Sequence, residues 1–251
     1  MRKRSAFTLI ELLVVISIIA LLIGILLPAL GVARRTARQM QSNTQVRGIH
    51  QAMVTFAQGN NSEFPGMNGS GGFITSTQTN NSGNGDTVQG RYWVLLSGNY
   101  FTGEYAISPV ETKTVWTAGT GATANSVLTT NYSYGMLQIT GSGSTNQGRR
   151  NEWKDTINTE AVVMSDRARG AASGNNLFSI HTTGGTGDWR GSVGYNDNHV
   201  IFETSATRTN TKYGSATSNT TDQMFDNVSG GGGTEANCLI VIENITTVTN
   251  D

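Results

Sequence analysis

Cysteine is nearly absent from this 251-residue protein. Its one cysteine, Cys238, excludes an intramolecular disulfide framework and any site built from several cysteines, such as a structural zinc or an iron–sulfur cluster. Proline is scarce as well, and three residues leave no proline-punctuated linkers. Charge is sparse, at 14% of residues where ordinary proteins have roughly a quarter. The 17 basic and 17 acidic residues cancel, so no one-signed field points to nucleic acid. The length allows one ordinary domain with appendages and rules out a large multidomain enzyme. Glycine, serine, threonine and asparagine take the place of charge, with 109 residues, 43% of the total. Such a hydroxyl- and amide-rich composition fits a turn-rich β protein outside the cytoplasm and does not fit a helical cytosolic enzyme.

One long apolar run breaks this polarity. After the short basic segment Met1–Ala6, the 19 residues Leu12–Leu30 bear no charge. As a helix they span roughly 28 Å, close to the hydrocarbon thickness of a bilayer. Arg34, Arg35 and Arg38 follow. A plain single-pass anchor accounts for this pattern. A secretory signal peptide is a second reading, with Gly31 and Ala33 as the small residues at its cleavage site, but the run exceeds the usual apolar length of such peptides. Neither accounts for Glu11, a carboxylate at the edge of the run. Taking a carboxylate into lipid costs a few kcal/mol on insertion scales, and such a residue usually marks function or a partner.

A third reading places Glu11. The basic leader Arg2–Arg4, the junction Ala6–Phe7, Phe-Thr-Leu-Ile-Glu at 7–11, the apolar helix and Pro28 resemble the type IV pilin and type II secretion pseudopilin family. The resemblance covers residues 1–58. It implies cleavage by a prepilin peptidase between Ala6 and Phe7 on the cytoplasmic side, and N-methylation of Phe7. It implies that Glu11 pairs with the N-terminal amine of a neighbouring subunit, since buried opposite charges are tolerable only as a pair. The family usually has glycine before the cut, where Ala6 stands here. Further implications are self-association into a filament, other pseudopilins, an assembly platform protein and an ATPase as partners, and a single-pass inner-membrane form with its head in the periplasm or outside the cell. Flanking charges leave topology tied, with three basic residues on each side of the run. The domain division expected is a leader at 1–6, a membrane and filament-core helix at 7–33, an amphipathic half at 34–58 and a β-rich head at 59–251.

The helical pattern outlasts the arginines. Ala33, Ala37, Met40, Val46, Ile49, Met53 and Phe56 recur at spacings of three and four, with Arg and Gln on the other faces. The spacing predicts one helix, Thr8–Gln58, kinked or locally melted at Pro28 and Gly31; two separate helices are the alternative. Either way the second half forms the spine of the head. Beyond it, 62–90 reads as a long loop and Arg91–Leu96 as a short helix in preference to a strand. Pro109 marks a turn after extended Tyr105–Ser108. Strands are expected in 131–139, 160–165, 192–195, 199–203 and 238–243, with a tight turn at Asn196–Asn198 and a surface excursion over 204–236. The fold class is α+β, a long N-terminal helix packed on an antiparallel sheet. The stretch 189–203 also resembles the C-terminal hairpin of pilin-like proteins of planctomycete-type bacteria, with Asn198 where a glycine is common. That substitution predicts slight strain.

Catalytic patterns are missing. No nucleophile elbow accompanies the serines, and Gly230–Gly233 lacks the lysine and hydroxyl residue of a phosphate loop. No enzymatic activity and no cofactor are expected. His181, Asp197 and His199 are conceivable metal ligands, though no close histidine pair supports them. Some major pseudopilins bind calcium in a C-terminal loop, and Asp222 and Asp226 are the best local candidates here, followed by Asp188 and Asp197. Most of Trp93, Trp116, Trp153 and Trp189 are expected in the core. The rival functional class is a membrane-tethered binding protein or adhesin that never polymerises.

Overall fold

The structure is a computed structural model that describes residues 8–79, 82–119, 126–139, 147–171, 176–181, 189–208, 222–225 and 240–241. The protein divides into two compact units, one ending at Arg38 and one beginning at Gln39. Helix α1, Leu9–Gln58, contributes to both.

In the first unit, α1 carries no charge from Leu12 to Ala33 and is apolar on every face over that length. Its large side chains from Leu9 to Val32 are 46–80% exposed. Pro28 lies inside the helix, where it removes one backbone donor, yet the helix continues through it and through Gly31. A single helix is therefore found where two were the alternative. The two hydroxyls of this stretch turn back on the helix, Ser17 to the Val14 carbonyl at 2.8 Å and Thr36 to the Val32 carbonyl at 3.2 Å. No side-chain donor is left to face an apolar surrounding from these positions.

In the second unit, the end of α1 becomes amphipathic and supplies the core. Ser42, Gln45, Val46, Ile49, His50, Met53 and Ala57 are buried at spacings of three and four. Ala33, Ala37 and Met40, which spacing alone places on the same stripe, are exposed. Helix α2, Val88–Ser97, starts where the Thr87 hydroxyl accepts from the Gly90 amide. It buries Val88, Arg91, Tyr92, Leu95 and Leu96, one helical face. Helix α3 covers Gln147–Glu152.

The strands are β1 (Tyr134–Leu137), β2 (Val162–Asp166), β3 (Ala168–Ala171), β4 (Asn176–Ser179), β5 (Gly191–Tyr195), β6 (Val200–Glu203), β7 (Thr207–Arg208), β8 (Asp222–Gln223) and β9 (Ile240–Val241). The main sheet runs β6-β5-β2-β1-β9, with every neighbouring pair antiparallel. Register sets Tyr134 opposite Asp166 and Ser165 opposite Val193. The three central strands β5, β2 and β1 are buried at every residue, whereas edge strand β6 is not. Such burial on both faces explains why β2 reads as a continuous apolar run. Gly194 on β5 allows α1 to come close: a Cβ there would lie 2.8 Å from the Val46 side chain. Two small pairs, β3–β4 and β7–β8, complete the described strands.

Several expectations need correction. Gly103–Ala106 is a 3-10 turn, so Tyr105 is not extended. The β3–β4 pair has no counterpart among the expected strands. The excursion after residue 203 returns to the core at Met224 and Phe225, where Phe225 meets Trp189 with ring centroids 5.1 Å apart. Only Ile240 and Val241 of the last expected strand are described, and both pair with β1; Cys238 and Gly230–Gly233 lie outside the described residues. Trp153 and Trp189 are buried and Trp93 and Trp116 partly so, as expected of core packing. Arg91 is fully buried, and among the described residues no carboxylate is hydrogen-bonded to it. It donates to the carbonyls of Gly85, Asp86 and Leu137 at 2.6–3.1 Å and lies over the Trp153 ring.

His50 is the least satisfied member of this core. It is fully buried on α1, packs edge-on against Phe64, and neither ring nitrogen has a hydrogen-bond partner among the described residues. Burial pushes its pKa from 6.5 down to about 4, against the opposing influence of Asn198 and Asp197. The folded head holds His50 neutral, while the unfolded state takes up a proton near pH 6.5. Its contribution is therefore complete above pH 6.5 and is lost as pH falls towards 4. Between pH 7 and pH 5 the wild-type protein should lose about 2 kcal/mol of unfolding free energy at this one residue. Urea unfolding in detergent at the two pH values, compared with His50→Leu, measures it. Equal acid sensitivity in both proteins would show that His50 is not the cause.

Candidate functional site

The described part of the N-terminal segment begins at Thr8. Its backbone amide and its hydroxyl both donate to Glu11 Oε2 at 2.8 Å, and the Glu11 amide donates back to the Thr8 hydroxyl at 3.3 Å. This is a capping box: threonine at the N-cap and glutamate three residues on satisfy amides that the first turn leaves open. The Thr-x-x-Glu spacing is the sequence signal for it, one that a reading of Glu11 as an intersubunit partner alone passes over. Both donors fall on Oε2. Glu11 Oε1 has no partner among the described residues, and the side chain is exposed. One oxygen thus holds the helix start while the other remains available.

Glu11 heads the one helix among the described residues that is long and apolar enough to cross a membrane. None of its most apolar window is buried. Removing a Leu, Ile or Val side chain from water is worth about 1.5–3 kcal/mol, so this many exposed together require lipid or other helices around them. Pro28 lies within that apolar length. Ala6 and Phe7 lie outside the described residues.

The second unit concentrates its buried polar chemistry around Asp166, at the end of β2. The carboxylate is fully buried and accepts from the Ser42 hydroxyl of α1 at 3.0 Å and from the Ser192 amide of β5 at 2.5 Å. His181 Nε2 lies 2.9 Å from its Oδ2. Tyr134 extends the network, with its hydroxyl 3.3 Å from Ser42 Oγ and donating to Gln45 Oε1 at 2.7 Å. Burial raises the Tyr134 pKa well above 10, with the Asp166 charge acting in the same direction. Three donors on a carboxylate and a helix bonded to two strands make this an anchoring network. Among the described residues, the His181 side chain is bonded to the Asp166 carboxylate.

The conceivable metal ligands are put to other uses. His181 is engaged by Asp166. Asp197 and His199 are bonded to each other within the β5–β6 turn, where the His199 ring stacks on Tyr195 at 4.1 Å. Asn198 sits at φ +67°, the left-handed conformation that favours glycine and that asparagine tolerates best among other residues. Asp222 belongs to β8, while Asp188 and Asp226 lie outside the described residues. Among the described residues, no three His, Cys, Asp or Glu side chains are arranged to hold a metal ion.

The long apolar helix and the antiparallel sheet together make an α+β fold, consistent with a pilin-like one. Residues 1–27 match the family model of the prokaryotic N-terminal methylation motif, so the protein bears the prepilin-type signal of type IV pilins and pseudopilins. That signal implies, in general terms, prepilin peptidase processing and filament assembly, and with the apolar helix it points to membrane anchoring. No curated protein and no solved structure gives a significant match.

Asp166→Ala should cost roughly 3 kcal/mol, because it strands the Ser42 hydroxyl, the Ser192 amide and His181 without their acceptor. Asp166→Asn, which keeps an oxygen, should cost less. Urea denaturation reads both, and a loss below about 1 kcal/mol in the alanine variant would mean that the network does not hold α1 to the sheet.

Proposed function

We propose that this protein is a structural filament subunit of the prepilin type, made as a single-pass inner-membrane precursor with its head in the periplasm or outside the cell. Prepilin peptidase cuts it between Ala6 and Phe7 and methylates the new Phe7 amine. The observation that carries this reading is one helix whose motif-bearing start is followed by an unshielded apolar length, and whose end forms the core of the head. In the filament the apolar lengths bundle, and Glu11 meets the Phe7 amine of a neighbour through its available Oε1. Pro28 is placed in the assembling part of the helix. Other subunits, a platform protein and an ATPase complete the machinery. The head has a structural role and no enzymatic one. The filament is either a type II secretion pseudopilus or a surface type IV pilus, which loss of protein secretion or loss of surface fibres in a knockout separates.

Intact mass and N-terminal sequencing of the protein from its native membrane should give a methylated Phe7 start, despite Ala6 where the family usually has glycine. A start at Arg34 would make it an ordinary secreted domain, and a retained Met1 would leave a tethered protein. Glu11→Ala should still insert and be cut but be missing from sheared filaments. Entry of that variant at wild-type levels would overturn the assembly role of Glu11 and favour a tethered binding protein or adhesin.

A further inference from the structure

The sequence contains two Asn-Gly dipeptides, Asn68-Gly69 and Asn84-Gly85, and the fold holds them in opposite ways. Asparagine before glycine is prone to attack by the following backbone nitrogen on its own terminal amide, because glycine has no Cβ to obstruct the approach. Three conditions favour that attack: a free backbone N–H, a polarised amide carbonyl on the asparagine and access for water.

Asn68 meets all three. It lies on an exposed turn, with Gly69 at φ +75°. Among the described residues the Gly69 N–H has no acceptor. Asn68 Oδ1 accepts from the Ser70 amide at 2.9 Å and from the Gly72 amide at 3.0 Å. Two backbone donors on one carbonyl oxygen fix the orientation of the amide. They also stand where negative charge develops when its carbon is attacked, the arrangement of an oxyanion hole.

Asn84 is protected. Its Oδ1 has one backbone donor, Ser76 at 2.9 Å. The Gly85 amide is committed to the Ile74 carbonyl at 2.8 Å, and Gly85 itself is buried against the Gly66 backbone, with no room even for a Cβ. Its nitrogen cannot swing onto the Asn84 side chain without breaking both contacts.

We propose that Asn68 is a site of self-catalysed deamidation, with the Gly69 nitrogen as nucleophile and the Ser70 and Gly72 amides stabilising the oxyanion. The Gly69 nitrogen bonds to Asn68 Cγ, and the bond from Cγ to Nδ2 breaks. Ammonia departs with the proton from Gly69 and leaves a succinimide. Water then opens the ring at either carbonyl, to aspartate or isoaspartate. The net change is one amide and one water converted to one carboxylic acid and ammonia, with no oxidant or enzyme. An aspartate at 68 keeps an acceptor for both turn amides. An isoaspartate lengthens the backbone in the same turn, close to the buried Glu63 that accepts from the Gly71 amide at 3.4 Å. Either product adds a negative charge to an exposed turn of the head, so it would mark the age of a long-lived subunit.

The test incubates the purified full-length protein in detergent at mildly alkaline pH, folded and in urea, and follows both sites by peptide mass spectrometry that resolves aspartate from isoaspartate. In the folded protein Asn68 should convert roughly tenfold or more faster than Asn84, a modest share of what oxyanion donors contribute in enzymes. In urea the two rates should converge. Gly69→Ala, read at Asn68 in the folded protein, should slow conversion. Persistence of Asn68 in the folded protein while it converts in urea would overturn the proposal, as would Asn84 keeping pace with it when folded.

Discussion

One unbroken helix has to satisfy two solvents. From Leu9 to Val32 α1 presents apolar side chains on every face, and from Ser42 onwards it presents a mixed stripe to a protein core. Neither length fits the other's surroundings. An apolar cylinder would collapse onto any exposed core, and a helix bearing Arg34, Arg35, Arg38 and Arg47 would resist lipid. The changeover is sharp, because the long uncharged run ends at Ala33 and the first buried side chain is Ser42. Pro28 is tolerated within such a helix because one missing hydrogen bond is minor beside the bonds retained, and the hydroxyls of Ser17 and Thr36 are already satisfied locally.

The core-facing stripe is unusual in its polarity. Ser42, Gln45 and His50 stand among Val46, Ile49 and Met53. Apolar packing alone would let a helix slide or rotate on a sheet with little preference. Bonds from Ser42 to Asp166 and from Tyr134 to Gln45 define one register, and the space over Gly194 for Val46 defines the same one. A buried carboxylate is costly in itself, so the three groups that Asp166 engages are needed to hold it. Arg91 meets the same problem on α2 with carbonyls and an aromatic face as its direct contacts, and the Asp86 charge adds to them. In a protein this poor in charge, the buried charges are placed where elements must be held in a single arrangement.

How much of this the sequence discloses follows from the range of the interactions. The helix α1, the helix around Arg91–Leu96, the central strands and the hairpin at Asp197–Val200 depend on local periodicity and turn chemistry, and they are legible to within a few residues. Met40 falls off the buried stripe because spacing alone cannot tell where the core begins along a continuous helix. The β3–β4 pair is illegible because its strands, ARGA and NLFS, have neither alternation nor an apolar run. Met224 and Phe225 read as surface because two apolar residues in a polar stretch carry no period. The Asp166 network is hidden for a different reason. Ser42, Tyr134, Asp166, His181 and Ser192 span most of the sequence, and nothing local announces that they meet. The capping box at Thr8 is legible in its spacing, yet a carboxylate at the edge of an apolar run points first to a partner and only second to its own helix start.

That double claim on Glu11 is a consequence of the helix dipole. The start of any helix carries partial positive charge and four open amides. In the proposed processed form, Phe7 adds a full positive charge one residue before the N-cap, and methylation of a primary amine leaves that charge in place. Without a carboxylate nearby, a helix start of this kind would be poorly placed in lipid. Glu11 at the third helical position answers the dipole through Oε2, which the Thr8 bonds occupy, and leaves Oε1 for a second donor. A glutamate one residue earlier or later would not be at the capping position. A shorter aspartate at 11 would be hard pressed to hold the cap and reach a neighbour at once. Capping and intersubunit pairing are therefore compatible demands on one side chain, and together they constrain its length and its position more tightly than either does alone.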